Sequence, residues 1–298
     1  MVNIVRGLFV VLLAAFGVVF GKDYAKANKE GKLDDASFAK SGITGFVTDF
    51  FDTLGIGSFA PTIAMSKALK INIPDKIMPG TLNVAHTIPV VVEALIFTTV
   101  IEVESLTLIS LIGAAVLGSY IGAGIISKMD ERVLQLIMGL ALAVTAVLMF
   151  LAHPRVNLMP GGGDAIGLSG INLILGIIGN FILGALMTAG IGLYSPCMAM
   201  VYFLGMSPDV AFPIMMGSCA MLMPVASMKF VKEGAYSRKA SLAISIFGVL
   251  GVFAAAFFVN NMPMDLLKAV VVVVIAYTSF TMLKAASKKK DSVELERA

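Results

Sequence analysis

The chain has 298 residues, 58% of them hydrophobic and only 14% charged, with a formal net charge of +3. A soluble domain carries about 25% charged residues, and a mean hydropathy of +0.93 leaves no stretch polar enough to form one. No Walker motif or dinucleotide fingerprint is present, so nothing in this chain hydrolyses ATP.

Apolar runs of roughly 20 residues, the length that crosses a bilayer, fall at 4–20, 43–65, 77–101, 106–127, 133–152, 171–193, 210–230, 240–260 and 264–283. The first has the length of a signal peptide, with Ala25-Lys26-Ala27 loosely resembling a cleavage site. Five lysines follow it against one arginine before it, so it is expected to be a retained helix with its N-terminus outside. The run at 43–65 is interrupted by Gly55-Ile56-Gly57, and the one at 171–193 by Gly190-Ile191-Gly192.

These interruptions belong to a duplication. Gly55-Ile56-Gly57 with Pro61 matches Gly190-Ile191-Gly192 with Pro196 at an offset of 135, Pro89 matches Pro224, and Leu117-Gly118 matches Leu250-Gly251 at 133. A slowly drifting offset is what a duplicated unit produces. Each unit reads as a broken segment followed by three spans. If the broken segment folds back as a hairpin, the second unit is inverted. All of the 22 Lys and Arg except Arg6, Arg155 and Lys268 then fall on the cytoplasmic side, which is the distribution that insertion favours.

The expected fold is therefore all-α: a polytopic membrane protein of two inverted-topology repeats, each a re-entrant helical hairpin plus three transmembrane helices, and one extra N-terminal transmembrane helix. The expected divisions are a helix at 1–21, a basic cytoplasmic linker at 22–41, repeats at 42–152 and 170–285, an external linker at 153–169 and a cytoplasmic tail at 286–298. This places the chain in the plasma membrane, multi-pass, with its C-terminus in the cytoplasm.

Inverted repeats with helices broken near the midplane are the architecture of secondary carriers. A new half-helix starts at each break, near Ser58 to Pro61 and Tyr194 to Pro196, with Ser195 as a candidate N-cap. First-turn amides carry partial positive charge, and Gly55, Gly57, Gly190 and Gly192 let backbone approach a ligand. An anion held at the midplane between the two half-helix N-termini is the expected substrate. Asn83, His86 and Thr87, with Ser218 in the second half, are further candidate donors, and hydrogen bonding to the hairpin backbone is their alternative role.

The acids Asp49, Asp52 and Glu93 fit an anion site poorly. They are candidates for proton or ion coupling, or for pairing with Lys67 or Lys70. Their second-half counterparts Gly184, Met187 and Met228 are neutral. The alternative function is accordingly a proton- or cation-coupled carrier using these acids. Cys197, with Cys219 and nearby methionines, could form a thiol centre, but packing is the better account and no metal or cofactor is expected. Gly118, Gly122, Gly248 and Gly251 read as close helix packing.

The stretches Leu54-Gly55-Ile56-Gly57-Ser58-Phe59 with Pro61, Pro79-Gly80-Thr81, and Gly190-Ile191-Gly192 with Ser195-Pro196 resemble the sulfite exporter TauE/SafE family, over about Gly45 to Leu283. The resemblance implies transport of small sulfur-containing anions such as sulfite, sulfonates or sulfoacetate, often outward, and no enzymatic activity. By that resemblance the span at Ile4–Phe20 is an addition. The expected partners are a small anionic substrate and the lipid bilayer, not nucleic acid, and a homodimer is left open.

Overall fold

The computed structural model describes residues 2–74, 77–126, 131–151, 153, 156, 163–187 and 193–295. Among them the chain is all-α, its only β feature being one isolated bridge between Ala165 and Met206. The helices are α1 (Val2–Lys29), α2 (Phe38–Thr53), α3 (Phe59–Ala68), α4 (Met78–Val100), α5 (Ser105–Ile126) and α6 (Glu131–Leu151). They continue with α7 (Gly170–Met187), α8 (Tyr194–Phe203), α9 (Ala211–Glu233), α10 (Arg238–Asn260) and α11 (Met264–Leu295).

Six of the described segments are long and apolar enough to cross a membrane: Val2–Lys29, Gly80–Val100, Gly170–Met187, Pro208–Glu233, Arg238–Val259 and Asp265–Ser287. Of the further runs expected at α5 and α6, the described residues include the apolar stretches Ser105–Ile121 and Leu142–Leu151. Gly170–Met187, expected as one arm of a hairpin, is by itself long enough to cross.

The chain divides into two compact units, Met1–Ile101 with Met216–Asn261, and Glu102–Met215 with Met262–Ala298. Each sequence repeat therefore gives helices to both. In the first unit α1 runs through Lys29, past the expected boundary at residue 21, and closes on Gly31 at φ 64. Its Phe16 and Phe20 stack at 5.5 Å and pack with Val84, Val231 and Tyr236. The following basic segment is tied down rather than loose. Asp23 pairs with Arg238 at 2.7 Å and accepts the Tyr236 hydroxyl, and Asp34 accepts the Ser237 hydroxyl and the Lys239 amide at the start of α10.

Helix α2 is capped by Ser37, which accepts the Lys40 amide. Gly55 and Gly57, at φ 94 and 89, then reverse the chain into α3, where Pro61 sits in the first turn and its missing N–H is harmless. Lys40 Nζ, at the start of α2, donates to the Leu69 carbonyl at the end of α3 at 2.9 Å. The two ends of this segment are therefore together: it goes in and comes back. At 10 residues, α3 is about 15 Å long, half of a bilayer core. In the second unit the two flanks of α7 and α8 also meet. There the Ser207 amide, just after α8, donates to the Ala165 carbonyl just before α7 at 2.9 Å.

Helix packing repeats as well. In the first unit a methyl on Gly251 would strike the Phe46 carbonyl, and Gly45 lies against the Ile244 backbone. In the second, Gly118 meets the Phe181 carbonyl, and Asn180 Nδ2 donates to the Leu111 carbonyl at 2.7 Å. Phe46 and Phe181, Gly251 and Gly118, Ile244 and Leu111, and Gly45 and Asn180 are related by the sequence offsets. Small residues let helix backbones approach where apolar burial gives no drive toward association. The packing of Gly122 lies outside the described residues.

Candidate functional site

The first break gathers the ionisable groups of the membrane region into one network within the first unit. Asp49 and Asp52 stand one turn apart on α2, His86 is on α4 and Thr62 on α3, and Asp49, Thr62 and His86 are fully buried, with Asp52 2% exposed. His86 Nδ1 lies 2.7 Å from Asp49 Oδ1, and His86 Nε2 lies 3.0 Å from Thr62 Oγ1. The Phe59 ring, one turn before Thr62, sits 6.0 Å from the imidazole. Asp52 accepts both the amide and the hydroxyl of Ser58 at the start of α3. Thr53 Oγ1 is 2.8 Å from Glu93 Oε1 and 2.8 Å from the Asp49 carbonyl. The second carboxylate oxygens of Asp49 and Asp52, both buried, have no hydrogen-bond partner.

The helix partners explain how α4 can place His86 here. Pro89 interrupts the ladder of α4 and frees the Ala85 carbonyl. Ser245 on α10 donates to that carbonyl at 2.8 Å. Gly248, one turn further on α10, leaves room for Asp49, because a Cβ there would lie 2.8 Å from Asp49 Cγ and 2.9 Å from Pro89 Cγ. The second unit has the reverse pairing, in which Gly184 meets Ala115. Gly184 corresponds to Asp49 and Ala115 to Gly248, so the carboxyl and the glycine that admits it came together.

Several expectations are corrected. Among the described residues, Asp49 pairs with His86, and neither Lys67 nor Lys70 forms an ion pair with an acid. His86 is thus a hydrogen-bond partner of Asp49. Ser58 does occupy the cap position of α3 but makes no side-chain cap bond, its hydroxyl being given to Asp52 instead. The cap of α8 is Leu193 rather than Ser195, whose hydroxyl lies 2.7 Å from Thr278 Oγ1. Thr87 turns to Ser227 on α9 at 2.7 Å while also donating to the Asn83 carbonyl, and Asn83 is half-buried. Ser218 is buried in α9. Gly190, Ile191 and Gly192, with most of the linker at 153–162, lie outside the described residues. Cys197 and Cys219 are buried and form no disulfide, and no group of three metal-ligating side chains occurs among the described residues.

The start of α3 has two further properties. Helix geometry leaves the Phe59 and Ala60 amides without a carbonyl inside the helix, and Ala60 is exposed. Beside Gly57, where a Cβ would stand, nothing lies within 4 Å. An anion could reach these donors, but an ionised Asp52 opposes it. Two like charges roughly 5 Å apart repel by about 3 kcal/mol at an effective dielectric near 20.

A family model described as sulfite exporter TauE/SafE matches residues 1–149 and 172–297. The matched residues include α1. No curated protein and no solved structure matches the chain. With nearly its whole length matched and six helices able to cross a membrane, this multi-pass protein belongs to the sulfite exporter TauE/SafE family of membrane transporters, which are not enzymes.

Proposed function

We propose that this chain carries a small sulfur-containing anion such as sulfite, a sulfonate or sulfoacetate out of the cell across the plasma membrane, with the N-terminus outside and the C-terminus in the cytoplasm. The observation that carries the reading is the start of α3: a half-helix whose Phe59 and Ala60 amides have no carbonyl inside the helix, following Gly57, beside which there is open space. Backbone amides at a helix N-terminus bind oxyanions without a buried lysine. By the duplication, α8 offers a second start of the same kind. Asp52 holds Ser58, so the donors of the first repeat are the two amides after it. Outward movement needs no nucleotide, because each negative charge leaving a negative interior gains about 2.3 kcal/mol per 100 mV.

Purified protein in liposomes is the test. With a voltage set by a potassium gradient, sulfite is expected to move toward the positive side, and chloride far less. Equal flux for every small anion, or none for any sulfur oxyanion, would refute the reading.

A further inference from the structure

We infer that the anion travels with a proton, and that the carrier of that proton is the Asp49–His86–Thr62 relay of the first repeat. The inference rests on the anion-carrier reading and adds its coupling ion.

The first support is geometric. The three side chains form a continuous chain of contacts at 2.7 and 3.0 Å, fully buried and drawn from α2, α4 and α3. In the neutral state the hydrogen-bond pattern fixes the tautomer: His86 donates from Nδ1 to Asp49 and accepts the Thr62 hydroxyl at Nε2. With a proton added, His86 donates from both nitrogens and the Thr62 oxygen turns from donor to acceptor. Only N–H and O–H bonds change, and the proton comes from water on one side and leaves to water on the other.

The second support is the surroundings. The charged groups acting on His86 are Asp49 and Asp52, both from α2. From α10 come Gly248 and Ser245, and from α3 Thr62 and Phe59, none of them titratable. Glu93 shares α4 with His86 and reaches α2 through Thr53. Thr53 donates to Glu93 at 2.8 Å and lies equally close to the Asp49 carbonyl. Two buried carboxylate oxygens, one each on Asp49 and Asp52, lack any donor. A buried carboxylate oxygen left without a donor is costly, and a proton there removes the charge. The cluster is built to take up protons.

The third support is asymmetry. At the offset of 135, Asp49, Asp52, Thr62, His86 and Glu93 become Gly184, Met187, Cys197, Met221 and Met228. The duplication kept the half-helix, but none of the carboxyls of this cluster and not its imidazole recurs at the matching positions of the second copy. A merely structural polar core would gain nothing from this one-sidedness.

The coupling follows from position. Asp52 accepts from Ser58 immediately before the Phe59 and Ala60 amides. An arriving anion is repelled while the cluster is fully ionised and accepted once it holds a proton. Reciprocity then requires that the bound anion favour the proton. A dianion accompanied by one proton still moves one net negative charge, so voltage continues to drive export.

The test uses full-length protein in liposomes with methanesulfonate, which holds no proton near neutral pH, alongside sulfite, and an internal pH dye. At zero voltage a pH gradient is expected to drive sulfonate accumulation of about tenfold per pH unit, with a matching proton movement. His86→Gln keeps a buried hydrogen-bonding amide. It is expected to retain voltage-driven flux and to lose the pH-driven component at least tenfold. Asp49→Asn, checked for wild-type thermal stability, should behave likewise. Anion flux without proton movement in the wild-type protein overturns the coupling and leaves the carrier standing. So does sulfite-only flux whose pH profile is unchanged in His86→Gln. Absence of any sulfur-anion flux refutes both.

Discussion

Replacing Gly248 with alanine puts a methyl group into the tightest contact of the acid network. Its Cβ would stand 2.8 Å from Asp49 Cγ and 2.9 Å from Pro89 Cγ, about 1 Å inside ordinary carbon–carbon contact. The proline ring is rigid, and the carboxyl is fixed by its 2.7 Å bond to His86 in a fully buried setting. Overpacking of this kind costs about 1–3 kcal/mol, and stretching a charge-assisted hydrogen bond adds a loss of the order of 1 kcal/mol. A total of about 2–4 kcal/mol is expected, read as unfolding in mild detergent. The second unit supplies the compensating change, since it has Ala115 where the first has Gly248, and Gly184 where the first has Asp49. In Asp49→Gly/Gly248→Ala the overpacking share should vanish, giving a coupling of about 1–3 kcal/mol in the double-mutant cycle. A Gly248→Ala protein as stable as wild type, or single effects that simply add, would refute the packing argument and with it the equivalence of the two pairs.

Three other outcomes follow from the same geometry. Asp52→Asn keeps an acceptor for Ser58 but removes the charge that opposes an anion at Phe59 and Ala60, so binding of sulfite to purified protein at neutral pH should strengthen about tenfold to a hundredfold; unchanged or weaker binding contradicts the placement. Ser245→Ala strands the Ala85 carbonyl that Pro89 freed and should cost about 1–3 kcal/mol, much of it recovered in Ser245→Ala/Pro89→Ala, as thermal unfolding would report. Glu104 accepts the Thr107 hydroxyl and amide at the start of α5, and these bonds hold its carboxyl below the ordinary range. Its contribution is therefore complete above that range and is lost as pH falls through the lowered value. In Glu104→Gln the acid-side loss of stability should be smaller, though modest because the group is exposed to solvent.

The duplication was legible because glycine and proline mark backbone geometry, and backbone geometry is what a repeat preserves. The hairpin was legible through charge, and the Lys40–Leu69 contact brings its two ends together. The chemistry was harder to read. His86 meets Asp49 and Thr62 across 37 and 24 residues of chain, and only the fold-back of α3 brings all three together. His86 and Thr87 are neighbours in sequence and were both candidate donors, but a step of one residue turns a side chain by about 100°. That step is enough to send Thr87 to α9 and His86 to α2. Ser195 carried the composition of a cap, yet α8 begins one residue earlier and leaves its hydroxyl to Thr278. The second half of the expected anion site, at Gly190 and Gly192, falls outside the described residues.

Selenite has the shape and charge of sulfite and carries an atom visible by anomalous scattering. A crystal of the protein grown with selenite locates the anion directly. The account predicts selenium within hydrogen-bonding distance of the Phe59 and Ala60 amides, beside Gly57. Selenium bound elsewhere, with the start of α3 closed by its own side chains, would contradict it.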